Sequence, residues 1–170
     1  MEQGKVEGLE VVEGSHVKVK GYLMMKGRPA MCVKMSTAKP GKHGHVKCNI
    51  VGQDLLKPDK KYQHMCPGHE AIEVPVVKKY ELELSDVEKE EGKGSNIECL
   101  VTMNDDAEEI KITYNGEDPL HKEAVDKWNE IEESGADDKV VVLSILQATV
   151  GEKGKYDWEY RVEKVNVKTD

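Results

Sequence analysis

The residues able to do chemistry gather in two short stretches. The first is Ser36 to Lys47, STAKPGKHGHVK, where Lys42 is framed by Gly41 and Gly44, with Lys39, His43, His45 and Lys47 close by. The second runs from His64 through Cys66 to His69. A lysine among glycines can serve a phosphate-binding loop. Histidines with a thiol can hold a metal or build a nucleophile. A cluster of cations can meet nucleic acid.

Most of these chemistries fail on spacing. A P-loop requires a glycine five positions before its second glycine, a Ser or Thr after the lysine, and a helix to follow. Ser36 and His43 stand at those two positions, and HVKCNIV reads as a strand. His43, His45 and Cys48 form one candidate metal group, and His64, Cys66 and His69 a second. Zinc sites usually pair their ligands as CxxC or HxxxH, which neither group does. Lysines flank the first group, and on a strand His45 and Cys48 face opposite ways. No metal site is therefore expected. GxSxG is absent, and Cys48 shares its period with Val46 and Ile50, the phase of a core residue. The residues therefore give a nucleophile little support.

What remains is a binding loop. Glycines on both sides let the backbone turn tightly and leave the Lys42 side chain unobstructed. Pro40 removes a backbone donor and pushes Lys39 toward extended conformations. A basic patch is an electrostatic footprint and nothing more. An RNA-binding surface and a solvated hairpin account for these residues equally well.

The elements that must hold the loop are short strands. Tyr22 to Lys26, Ala30 to Ser36 and His45 to Gly52 alternate apolar and polar residues, as does a looser run from Val11 to Val19. Lys26-Gly27-Arg28-Pro29 and Lys57-Pro58-Asp59-Lys60 read as turns. Lys61 to Cys66 and Ile72 to Val77 complete a small all-β barrel, with Pro75 marking an edge or kink. Val76 to Tyr80 reads as a linker or shared strand. Beyond it, Tyr80 to Val87, Ile97 to Met103 and Ile110 to Tyr114 are strands, and the charged Glu88 to Ser95 reads as a loop. Asp118 and Pro119 open the one convincing helix, with Leu120, Ala124, Trp128 and Ile131 on one face and Gly135 at its end. Lys139 to Val150 and Tyr156 to Val167 are the last strands. That order fits an oligonucleotide/oligosaccharide-binding (OB) barrel, with a generic α+β domain as the alternative.

Charge divides the chain in the same place. Through Tyr80 there are 14 basic against 8 acidic residues, and from Glu81 onward 11 against 25. Two domains are expected: a basic barrel over residues 1–80 carrying the lysine loop, and an acidic OB domain over 81–170. The first can approach nucleic acid, whereas a phosphate backbone repels the second. Four cysteines without CxxC pairing, behind a polar and acidic beginning, are read as reduced thiols in a cytoplasmic protein with no membrane association.

MSTAKPGKHGHVK, with KGRP before it and IVGQDLLKPDKKYQHMCP and EVP after it, resembles the eukaryotic translation initiation factor 5A family. The resemblance is dense from Gly21 to Val77 and thinner through the helix and VVVLSIL. It implies an SH3-like barrel followed by an OB domain. It also implies that Lys42 is the lysine converted to hypusine, first extended by an aminobutyl group from spermidine and then hydroxylated. Lys39, Gly41, His43, Gly44, His45 and Lys47 match the residues that shape the tip, contact tRNA or are read during modification. The implied partners are the large ribosomal subunit, P-site peptidyl-tRNA, deoxyhypusine synthase and deoxyhypusine hydroxylase. The implied role is relief of stalling, notably at proline runs, and help in termination, as a factor that is not itself an enzyme, with no catalytic residue and no cofactor. An unmodified RNA-binding module is the alternative. Two residues depart from the family pattern: Ala38 stands where Ser is usual, and Pro40 where Thr is usual.

Overall fold

The computed structural model describes residues 8–39, 45–90, 94–103 and 106–169, with the backbone alone for 89–90, 94–103 and 106–108. The described chain is mainly β, with eleven strands and one α-helix. Contacts group it into two units: residues 8–78 with 147–159, and residues 79–146 with 160–169.

The first unit is an SH3-like barrel. Strands β2 (Tyr22–Met25), β3 (Arg28–Ala38), β4 (Lys47–Asp54) and β5 (Lys61–Pro67) form an antiparallel sheet in chain order. Strand β1 (Glu10–Glu13) pairs with β6 (Ala71–Val74). Alternation selects the core: Leu23 and Met25 from β2, Ala30 and Cys32 from β3, Cys48 and Ile50 from β4, and Cys66 and Ile72. Gly52 continues the inward face of β4 because a Cβ there would overlap the Met25 sulfur. Lys26 and Gly27 join β2 to β3 with both φ positive, the pattern of a type I′ hairpin turn.

The expected strand from Val11 to Val19 stops at Glu13, and Gly14–His16 form a 3-10 turn. Backbone donors explain the break. Gly14 N–H donates to Glu70 O at 2.9 Å and Ser15 N–H to Gly68 O at 3.0 Å, so this segment is tied to the 67–70 turn.

The second unit is an OB-type barrel built on strands β7 (Val77–Glu90), β8 (Gly94–Met103), β9 (Asp106–Thr113), β10 (Lys139–Glu152) and β11 (Lys155–Thr169), in sheet order β11-β10-β7-β8-β9. Helix α1 (Pro119–Ser134) opens where expected. Asp118 accepts from the Leu120 N–H at 2.9 Å, and Gly135 ends the helix with φ 67°. Its Ala124 and Val125 join Leu82, Leu84, Ile110, Ile112, Val141, Leu143, Ile145 and Val162 in the core, with Leu120, Trp128 and Ile131 packed against them. His121 is buried, and burial pushes its imidazole pKa down, partly opposed by Asp118. Its Nδ1 accepts the Asn115 N–H.

Much of the stretch expected as a charged loop at Glu88 to Ser95 is paired strand instead, with Glu88↔Asn96, Lys89↔Ser95 and Glu90↔Gly94. Ladder pairing satisfies the backbone whatever the side chains are. Residues 147–159, which the sequence reading puts with the acidic half, group by contacts with the first unit. Thr149 N–H donates to Val76 O, Val76 N–H to Thr149 Oγ1, and Gly151 N–H to Gly27 O. Tyr156 OH donates to Glu73. Lys78 Nζ lies 5.5 Å from the centre of the Trp158 ring.

Candidate functional site

The candidate site is built on the β3–β4 hairpin. Its pairing runs from Ala30↔Asp54 to Ala38↔Lys47, with a register shift between Cys32 and Lys34. Near the barrel the inward residues Ala30, Cys32, Ile50 and Cys48 are buried. Toward the tip, Ser36, Thr37, Ala38 and Lys39 of one arm are all exposed. On the partner arm alternation continues, with Cys48, opposite Thr37, buried and Lys47 exposed. The hairpin therefore ends with one exposed arm and one arm anchored in the core, and residues 39–46 connect them.

Three of the expected site residues are described. Lys39, His45 and Lys47 are all exposed. Lys47 closes the last pair with Ala38 and Lys39 follows Ala38, so two lysines stand at the root of the loop. Gly41, Lys42, His43 and Gly44, and with them Pro40, lie outside the described residues. The root itself is fixed: Val46 packs on the barrel core, and its carbonyl accepts the Gly68 N–H at 2.7 Å. His45 meets His69 edge to face, with ring centres 6.4 Å apart.

The opposite end of the hairpin is held by a buried carboxylate. Asp54 accepts from Arg28 Nε at 3.0 Å, Tyr62 OH at 2.7 Å, Leu56 N–H at 2.8 Å and Lys57 N–H at 2.9 Å. Arg28 also donates to Glu159 at 2.9 Å. Burial alone would raise the Asp54 pKa, but these donors outweigh it and hold the carboxyl below its ordinary range.

The second histidine–cysteine group comes together differently from its sequence pattern. His64 and Cys66 share a face of β5. The third member is Glu70, which the sequence pattern did not single out, and not His69. His64 Nε2 and Glu70 Oε2 are 2.6 Å apart. Cys66 lies opposite Cys48 in the β4–β5 pairing. Burial, then Glu70 and Cys48, push its thiol up to about 11. Cys32, Cys48 and Cys66 are all buried free cysteines. None of the described residues forms a helix long and apolar enough to cross a membrane.

With this geometry in place, likeness to known proteins can be weighed. Residues 10–70 match the family described as translation initiation factor 5A-like, N-terminal. A factor 5A of Spodoptera exigua is 44% identical over 73 residues, which span 43% of this chain and 45% of that protein, so the match covers under half of the relative's length. Factor 5A-2 of Schizosaccharomyces pombe is 31% identical over 134 residues, covering 79% of this chain and 70% of that one. Among solved structures, a factor 5A family protein from Naegleria fowleri aligns with a TM-score of 0.60 at 22% identity, over 93% of this chain and 98% of that one. Factor 5A from Methanococcus jannaschii aligns at 0.55, also with 22% identity, over 94% and 99%. At that identity, these two likenesses speak to the fold.

Proposed function

The chain belongs to the translation initiation factor 5A family, and from that premise we propose that it binds the cytoplasmic ribosome beside peptidyl-tRNA and acts through a hypusine at Lys42. Deoxyhypusine synthase adds the aminobutyl group of spermidine to the lysine, and deoxyhypusine hydroxylase completes it. The modified side chain has roughly double the reach of lysine and a second amine, both cationic near pH 7. At the acceptor end of P-site tRNA such an arm meets phosphate and sugar, which requires no base sequence. Its contribution is positional. Holding a poor peptidyl donor, such as one at a proline run, in an attack-ready geometry lowers the entropic barrier to peptide transfer or release. The ribosome performs the chemistry, and this chain is a factor and not an enzyme.

The observation that supports this reading is a hairpin paired as far as Ala38↔Lys47, with its β4 arm anchored in the core and exposed Lys39 and Lys47 at its end. An anchored hairpin with exposed cations at the root of its loop is what an arm reaching into an RNA-walled site needs. The acidic second half faces ribosomal protein or solvent, because a segment of such charge is repelled by RNA. The test is the mass of the tryptic peptides spanning Lys42 from the protein isolated from its own cells. The expected result is an aminobutyl addition carrying one further oxygen on Lys42. A wholly unmodified Lys42 in that material would overturn the proposal.

A further inference from the structure

We infer that His64, Cys66 and Glu70 form a binding site for one transition-type divalent cation, zinc by its donor set, at the foot of the lysine loop. Among the described residues, these three offer an imidazole nitrogen, a sulfur and a carboxylate oxygen, all within 4.8 Å of one another. A tetrahedral zinc ion with bonds of about 2.0–2.3 Å sets its ligands roughly 3.3–3.8 Å apart. Closing on an ion therefore takes movements of about 1 Å, within reach of rotamer adjustment. His64 and Glu70, at 2.6 Å, are closer than that and share a hydrogen bond. An ion would take the place of the bonding proton and part them slightly. Mixed nitrogen, sulfur and oxygen donors favour zinc over the hard cations magnesium and calcium.

The surroundings suit an ion. Cys66 is 4% exposed and held from below by Gly14, where a Cβ would stand only 2.9 Å from the sulfur. His64 and Glu70 are partly open and line a cavity of about 190 Å³ together with Ile72 and Glu73, so water and ions can reach these two ligands. The elements differ in a useful way. His64 and Cys66 belong to β5, whereas Glu70 belongs to the turn whose Gly68 N–H holds the Val46 carbonyl. A metal bridging them would clip that turn to the sheet and stiffen the root of the 39–46 loop. This role does not depend on whether Lys42 is modified.

The test is titration of the full-length chain with cobalt(II) as a spectroscopic probe, followed by zinc(II), under reducing conditions and after chelator has been removed. The expected result is one cobalt per chain, with a thiolate-to-metal charge-transfer band that zinc abolishes. Zinc should also slow hydrogen exchange at the Gly68 amide. His64→Gln and Glu70→Gln, each with an unchanged circular dichroism spectrum, should weaken cobalt binding by at least about tenfold. Cys66→Ser should remove the band, and Cys48→Ser should leave it. Absence of a stoichiometric charge-transfer band would overturn the inference, as would its persistence in folded Cys66→Ser. If Cys66→Ser does not fold, the other two variants decide, and full-strength binding by both would equally overturn it.

Discussion

Asp54 is where the polar interior of the first barrel converges. Its carboxylate is fully buried and takes donors from Arg28, Tyr62 and the backbone of residues 56 and 57. Because these donors hold its folded pKa below the ordinary 3.8, the stabilisation is complete above that value. It is lost as pH falls from there through the lower folded value. Asp54→Asn removes one of the two carboxylate partners of Arg28, leaving Glu159, and should lower stability by about 2 kcal/mol at neutral pH. In urea unfolding followed from pH 7 to pH 2, the variant should also lack part of the acid-induced loss seen in the unmodified sequence. Parallel curves for the two proteins would remove Asp54 from this role. At this scale the sequence was only partly readable. Lys39, His45 and Lys47 could be picked out because cations beside glycines are visible in one dimension. Asp54 and Glu70 could not, because a carboxylate in a turn looks the same whether it meets water or a buried guanidinium.

The element with the least local origin is the end of the β10–β11 hairpin. Two glycines there have different duties. Gly151 has φ 119°, and a Cβ on it would overlap the Lys155 carbonyl. Gly154 has φ 81° in the turn, with open space around it. Gly151→Ala should therefore cost about 3 kcal/mol, and Gly154→Ala only about 1 kcal/mol. Urea midpoints of the two variants check the order, and equal effects would show that the strand end adapts freely. The helix bounds were legible because their signals are local: Asp118 caps, Pro119 starts, Gly135 stops; the buried His121 and Val125 were not picked out. The strands were legible as strands but not in length, since Glu88 and Lys89 pair through their backbone while their side chains read as loop. The docking of residues 147–159 beside Val76 and Gly27 was not legible. It rests on backbone hydrogen bonds between positions more than seventy residues apart.

For the whole molecule, charge and contacts both divide the chain into two parts, at slightly different places. Charge turns from +6 to −14 near residue 80. Contacts keep residues 8–78 together and add 147–159 to them. Composition and periodicity reached two β barrels, the second with a helix. The purpose proposed for the loop came from the motif around Lys42, whose likeness to factor 5A is far more specific than a basic patch. In the proposed role, that one side chain does work that an ordinary cation cannot. The most direct test is the rate of peptide-bond formation across a proline run in a reconstituted translation system. It compares the chain purified from its own cells with Lys42→Arg, which keeps the fold and the charge but cannot accept the aminobutyl group. The account predicts stimulation by the first and a return to the factor-free rate with the second. Equal stimulation by both would contradict it and leave the chain as a basic RNA-binding module that needs no modified lysine.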